Sequence, residues 1–430
     1  MSFEIENGVL KKYTGTERFI TIPKGVKKIG KAAFLGCKHV ISIEIPSCVN
    51  SIDDSAFKEC SNLASIKIPN SVTYLGDFLF EKCRSLMRIE VEKENPVYHS
   101  KDNCLIETKS KVLIFGCGAS IIPSDGSVTN IANSSFSNCT ALTTIDIPGN
   151  IECIDNYSFV NCINLVSVNI HFGVKYIGEY AFGDCRSLSN IIIPSSVKEI
   201  GEWAFSNCSS LEAIRLPSSL EWIHGVTFED CINLKRIIVD DDNDTYHSFN
   251  NCLIETDNGK LVRGCETSVI PNDGSVTCIG DCAFSGCTNL KKIKIPLGVR
   301  TIGDYAFARC VDLKTINIPS GVKSIGEGAF SSCENLLLVN LPNSLISMGA
   351  LAFASCESLT SIEIPQSLTH IGCETFDDCI NLAHIKIPNS VIDIAEDAFS
   401  FCDELVIIAQ EDSYAMEFAE ENDIAFVLWD

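Results

Sequence analysis

A solenoid of stacked coils, with a parallel β-sheet along one face, is the fold predicted for this 430-residue chain, and three observations carry the prediction. A small residue followed by Phe recurs with Phe at 34, 57 and 80, then 136 to 228, then 284 to 399, spaced 23 residues apart within each block. Around each Phe the unit reads roughly L-x-x-I-x-I-P-x-S-V-x-x-I-G-x-x-A-F-x-x-C, as in Leu188 to Cys208. Both block breaks measure 56 residues and match each other at an offset of 148, as Cys104-Leu105-Ile106-Glu107-Thr108 matches Cys252-Leu253-Ile254-Glu255-Thr256. A fixed period with Leu and Ile at constant offsets is the signature of a leucine-rich repeat solenoid, an α/β-type repeat protein with short helical turns and loops opposite its sheet.

Residues 1–18 lack the repeat and hold Asn7-Gly8, a hairpin turn signal, so they read as an N-terminal cap. The solenoid is expected over 19–410 as one continuous domain of about 17 coils, about 80 Å long at the spacing of adjacent strands. In each coil L-x-x-I-x-I alternates like a half-buried strand, and the following Pro, which has no N–H to donate, ends it. Gly after the second Ile (Gly30, Gly178, Gly303) suits a turn with positive φ, although Asp53, Asp155, Ala132, His224 and Ala395 stand there elsewhere. The A-F-x-x-C stretch reads as a short helical turn with Phe and Cys facing inward. Each 56-residue break holds an inserted β-hairpin, about 93–118 and 241–266, in which apolar stretches flank Lys109-Ser110-Lys111 or Asp257-Asn258-Gly259-Lys260; the pattern suggests a hairpin standing off the solenoid. Residues 411–430 form the C-terminal cap: Asp412-Ser413 caps a helix from Tyr414 to Glu421, and Ile424 to Trp429 supplies a last strand.

Hydrophobic residues make up 46% of the chain, which excludes wholesale disorder. No apolar run approaches the ~18–20 residues that span a bilayer, so membrane insertion is not expected. The net charge of -23 repels phosphate backbones and anionic headgroups, which leaves nucleic acid and membrane surfaces as poor partners.

The repeat unit resembles the BspA-type leucine-rich repeat from about residue 19 to 410. The inserts are similar to that family's recurring module, with Asp102-Asn103-Cys104 and Asn250-Asn251-Cys252 where glycine is more usual. Ser413-Tyr414-Ala415 with Ala419-Glu420-Glu421-Asn422 is similar to the family's C-terminal cap. The resemblance implies a non-enzymatic adhesin-like role, as in surface proteins of host-associated bacteria and some protists that bind host cell-surface or matrix proteins. The start, Met1-Ser2-Phe3-Glu4-Ile5-Glu6, shows no export signal, and this favours the alternative of an intracellular protein-interaction scaffold in the cytoplasm. A monomer is expected in either case.

Fourteen of the 23 cysteines stand three residues after the repeat Phe, from Cys37 to Cys402. Stacked coils hold parallel side chains about 4.8 Å apart or more, wider than the ~3.8 Å between the Cβ atoms of a disulfide, so a ladder of buried, reduced thiols is expected. Unpaired thiols in such number suit a reducing compartment. Cys278, Cys282 and Cys287 are the densest remaining group, but a zinc site wants four ligands and no nearby His completes them, so no metal and no cofactor is expected. His99 with Cys104, and His247 with Cys252, are the nearest approach to a nucleophile and base; the duplication explains their repetition, and no enzymatic activity or catalytic residue is expected. No phosphate-loop, H-E-x-x-H or G-x-S-x-G motif is present.

Partner choice in a solenoid lives on outward strand positions. The first coils place Glu44, Glu90 and Asp146 there, and Glu363 stands near the far end. Between them eight coils, from Ser167/Asn169 to Leu338/Asn340, carry no acidic residue at these positions, in a chain with 56 Asp and Glu. Arg215, Arg236, Lys292 and Lys294, flanked by Ile192, Ile238, Val269 and Leu338, are the expected centre of a protein-binding patch that favours an acidic partner.

Overall fold

The computed structural model describes residues 2–429, and it is a parallel β-solenoid of about 18 turns with little helix. The N-terminal strand pair joins the stack: Val9–Tyr13 pairs antiparallel with Phe3–Glu6 and parallel with Lys28–Ile29. The chain falls into two compact units, Met1–Leu211 and Glu212–Asp430.

In the first unit the expected strands form one ladder, Phe19–Thr21, Ser42–Glu44, Ser65–Ile68 and Arg88–Val91, and then another, Thr144–Ile147, Ser167–Ile170 and Asn190–Ile192. Register follows the period: Ile43 lies beside Ile66, and Ile66 beside Ile89. A second parallel ladder, absent from the sequence reading, runs through the residues before the recurrent Gly position, held by Gly30, Asp53 and Gly76: Lys28–Ile29, Ser51–Ile52 and Tyr74–Leu75. Strands of two residues are too short for alternation to reveal. Phe rings stack through the interior, Phe159 on Phe182 at 5.1 Å and Phe182 on Phe205 at 5.5 Å, with interplanar angles of 4° and 2°.

The A-F-x-x-C segments do face Phe and Cys inward, but they are turns where helical turns were expected. Most coils have two left-handed residues here, such as Tyr157 and Asn161 with φ of 57° and 59°. The N–H groups of Tyr157, Phe159 and Asn161 donate to Glu179, Ala181 and Gly183 of the next coil at 2.7–2.8 Å. Donors committed to a neighbouring coil cannot also close helical rings, and only Gly225–Phe228 forms a 3₁₀ turn among the described residues.

The recurrent glycines also serve a different purpose from the one expected. Gly30, Gly178 and Gly303 are not among the positive-φ residues. A Cβ on Gly178 would stand 2.6 Å from the Asn156 main-chain N, and one on Gly30 2.9 Å from the Leu10 carbonyl oxygen. These glycines let one coil's backbone approach the last. Gly178→Ala is therefore expected to cost about 1–3 kcal/mol, read as a lowered urea midpoint; an unchanged midpoint would contradict the close approach.

Both inserted hairpins are present, but they do not stand off. In the first, Tyr98–Lys101, Cys104–Glu107 and Val112–Phe115 form an antiparallel meander whose last strand pairs parallel with Asn130–Ile131. Cys104, Leu105, Ile106 and Leu113 are at most 1% exposed, so the insert is part of the core. The second repeats this with Tyr246–Phe249, Cys252–Glu255 and Lys260–Arg263, which pairs with Cys278–Ile279.

In the second unit the outward-facing strands form three separate sheets: Ala213–Leu216 with Arg236–Val239; Thr315–Asn317 with Leu338–Asn340; and Ser361–Glu363, His384–Lys386, Val406–Ala409 and Ala425–Leu428. At its end Ser413 caps Tyr414–Glu421, its hydroxyl accepting from Met416 N at 3.2 Å, with Ala415, Phe418 and Ala419 buried.

Candidate binding surface

The sheet face of the second unit is interrupted where the insert rejoins it. Residues 267–270 and 291–295 belong to no strand. The Thr267 hydroxyl donates to the Lys235 carbonyl at 2.6 Å, and the Ser268 hydroxyl to the Asn251 carbonyl at 2.8 Å. Side chains thus occupy carbonyls close to the insert's exit, and the strip expected as one continuous face is divided.

The outward residues accordingly separate. Ile192 ends Asn190–Ile192 in the first unit and is 62% exposed. Arg215 and Ile238 are register partners on adjacent strands of the second unit, with Arg236 beside Ala213. Val269, Lys292 and Lys294 come together, lining a groove of about 810 Å³ with Thr267, Ile270 and Pro296. Leu338 lies in a different groove of about 540 Å³ that also holds Glu363, His384, Lys386 and Trp429. There the Lys386 ammonium sits 4.0 Å from the Trp429 ring centre and 2.9 Å from a Glu363 carboxylate oxygen.

Charge on the strip is less open than its residue types suggest. Arg215 Nε lies 2.6 Å from Asp240 Oδ1, an ion pair the strip reading missed because Asp240 follows the next strand. The expected acidic positions are engaged too: Asp146 accepts from Asn169 Nδ2 at 2.6 Å and contacts His171 Nε2 at 3.0 Å, and Arg88 pairs with Glu90. Arg236, Lys292 and Lys294 make no ion pair among the described residues, and the last two share their groove with exposed Val269. An apolar wall between cations is the arrangement that can hold an acidic, partly apolar segment.

The thiol column is structural. Cys162, Cys185 and Cys333 each donate to the carbonyl of a Phe 26 residues earlier, at 3.2 Å. Burial pushes the Cys185 and Cys333 thiols up to about 12 and Cys162 well above the ordinary value. Neutral, buried thiols are poor nucleophiles and poor ligands. Cys278, Cys282 and Cys287 do not converge, and among the described residues no three His, Cys, Asp or Glu side chains form a metal-ligating group.

The two His/Cys pairs are not dyads. His99 sits across from Ile106 and Cys104 across from Lys101; His99 Nδ1 instead meets Thr108 Oγ1 at 2.9 Å, as His247 meets Thr256 at 3.1 Å. The Cys104 thiol points to the Ile121 carbonyl, and burial lifts it to about 12. Gly116, read as part of an exit turn, has room for no Cβ because the Phe136 ring fills that space.

A family model for the BspA type leucine rich repeat region matches residues 4–126, 129–256, 262–371 and 346–416. Among solved structures, a leucine-rich cell surface protein of Faecalibacterium prausnitzii A2-165 is 28% identical over 98% of this chain and 95% of its own, with a TM-score of 0.57. A leucine-rich repeat protein of Bacteroides ovatus ATCC 8483 is 25% identical over 94% of each chain, with a TM-score of 0.47. No curated protein matches the chain.

Proposed function

The chain belongs to the BspA-type leucine-rich repeat family, and from that premise we propose that it is a non-enzymatic binding protein of the bacterial cell surface that captures a host or extracellular-matrix protein. The surface assignment is supported by the likeness, along nearly the whole chain, to the F. prausnitzii cell surface protein. The observation that carries the binding role is the groove where Val269 lies beside Lys292 and Lys294, cations with no ion pair among the described residues in a chain of net charge -23. Its partner is an acidic protein segment. Arg215, Arg236 and Ile238, on adjacent strands of the same unit, extend this site. Repeat families of this kind generally bind proteins, and among the described residues no helix is long and apolar enough to cross a membrane.

The test compares capture of matrix proteins by the wild type and by a variant with Arg215, Arg236, Lys292 and Lys294 all changed to Glu. The variant is expected to associate about tenfold or more slowly at low salt and to lose most of the wild type's salt sensitivity. The same partners bound with the same salt dependence would place the site elsewhere.

A further inference from the structure

The two inserts are related at an offset of 148 residues, and one of their differences places a buried charge in the second: Phe115 in the first is Arg263 in the second. Both end the third strand of their insert, Phe115 in register with Leu105 and Arg263 with Leu253. Arg263 is 2% exposed, with no ion pair among the described residues. Its guanidinium donates to three main-chain carbonyls, from Nη1 to Cys282 at 3.0 Å and Gly225 at 3.4 Å, and from Nη2 to Phe228 at 2.9 Å. The second insert therefore contains a guanidinium cradle filled by its own side chain.

The matching carbonyls of the first insert belong to Asp77, Phe80 and Ser134. Each accepts one main-chain bond, from Ser55, Cys83 and Ser137 at 2.8, 3.0 and 3.0 Å, and so keeps a second lone pair. All three residues line a pocket of about 520 Å³. The corresponding space in the second insert, with Arg263 in place, is about 170 Å³. Phe115 does not fill the difference: it packs on Phe80 at 4.9 Å and 56° and becomes part of the pocket wall. Phe78, 56% exposed, forms another part. Carboxylates of Asp77, Glu81 and Glu107 ring the site; Glu81 is paired with Lys58 at 2.6 Å, while Asp77 has no ion pair among the described residues.

We infer that this pocket receives an arginine side chain presented by a protein partner, held as Arg263 is held in the second insert. The guanidinium donates to the carbonyls of Asp77, Phe80 and Ser134, its charge faces Asp77 and Glu107, and its plane lies against the Phe115 or Phe78 ring. A planar fork satisfies several carbonyls at once, which a compact ammonium cannot do, so arginine is selected over lysine. The site is separate from the sheet-face groove and stands or falls independently of it.

The test is calorimetric titration of the intact chain with acetyl-Gly-Arg-Gly-amide and its lysine and citrulline counterparts, at an ionic strength that screens general attraction to the acidic surface. The arginine peptide is expected to bind, and each counterpart to bind at least about tenfold more weakly, the worth of one charge-assisted hydrogen bond. Phe115→Arg, which supplies an internal guanidinium, is expected to abolish binding without lowering the thermal midpoint. Asp77→Asn, an exposed change, is expected to weaken binding several-fold. No binding of the arginine peptide, equal affinity for all three, or full affinity in a folded Phe115→Arg protein would each overturn the inference. If Phe115→Arg does not fold, undiminished affinity in Asp77→Asn overturns it alone.

Discussion

Between pH 9 and 10, before most tyrosines and lysines titrate, the folded chain is expected to lose stability more steeply than its fold alone would suggest. Burial pushes the thiols of Cys83, Cys104, Cys139, Cys185 and Cys333 from the ordinary value of 9.0 up to about 12. The folded state keeps these protons while the unfolded chain gives them up. Stability is thus complete below about pH 9 and is lost as pH climbs toward 12. Each such thiol contributes a slope of about 1.4 kcal/mol per pH unit, so a handful together rival the 5–15 kcal/mol that holds a typical domain. Urea midpoints measured under reductant from pH 7 to 10 read this directly. Replacing Cys185 and Cys333 by Ala should lower the midpoint at neutral pH and flatten its fall above pH 9. A midpoint independent of pH over that range would mean that the column is hydrated.

Phe330→Ala is expected to cost about 3–5 kcal/mol, and more than Phe399→Ala. Phe330 is fully buried, with Phe307 and Phe353 stacked on its two faces at 5.3 Å. Its removal deletes two aromatic contacts and leaves a cavity that neither neighbouring coil can close. Phe399 is 7% exposed; it stacks on Phe376 at 5.7 Å, but its other neighbour, Phe418, meets it edge-on at 6.1 Å from the terminal helix. A helix eight residues long can shift to fill part of the space. Equal shifts in the two urea midpoints would contradict a core built from nearest-neighbour stacking.

Some features were legible because they depend only on position within the period. That Phe182, Cys185 and Leu188 all point inward follows from one coil's pattern, and all three are fully buried. The terminal helix was legible for the same reason: Ser413 as cap and Ala415, Phe418 and Ala419 on one face are local signals. The glycine after the second Ile was visible, but its purpose was not. Positive φ is a property of one residue, whereas the 2.6 Å approach of a Gly178 Cβ to Asn156 N is a property of two coils. The inserts were found by their duplication, yet nothing within 93–118 indicated that Val112–Phe115 would pair with Asn130–Ile131 and draw the insert into the core.

By itself, then, the sequence determined the repeat, the inward residues of each coil, the acidic surface and the family resemblance, because 23-residue periodicity repeats one local solution along the chain. Only the tertiary structure decided which outward side chains meet. Arg215 is paired with Asp240 on the following coil, Val269 joins Lys292 and Lys294 in one groove, and Arg263 fills a cradle whose counterpart beside Phe115 stays open. The physical reason is that outward and inserted positions carry no period. Their partners lie on another coil, and the stacking that brings them together is set by main-chain bonds between coils.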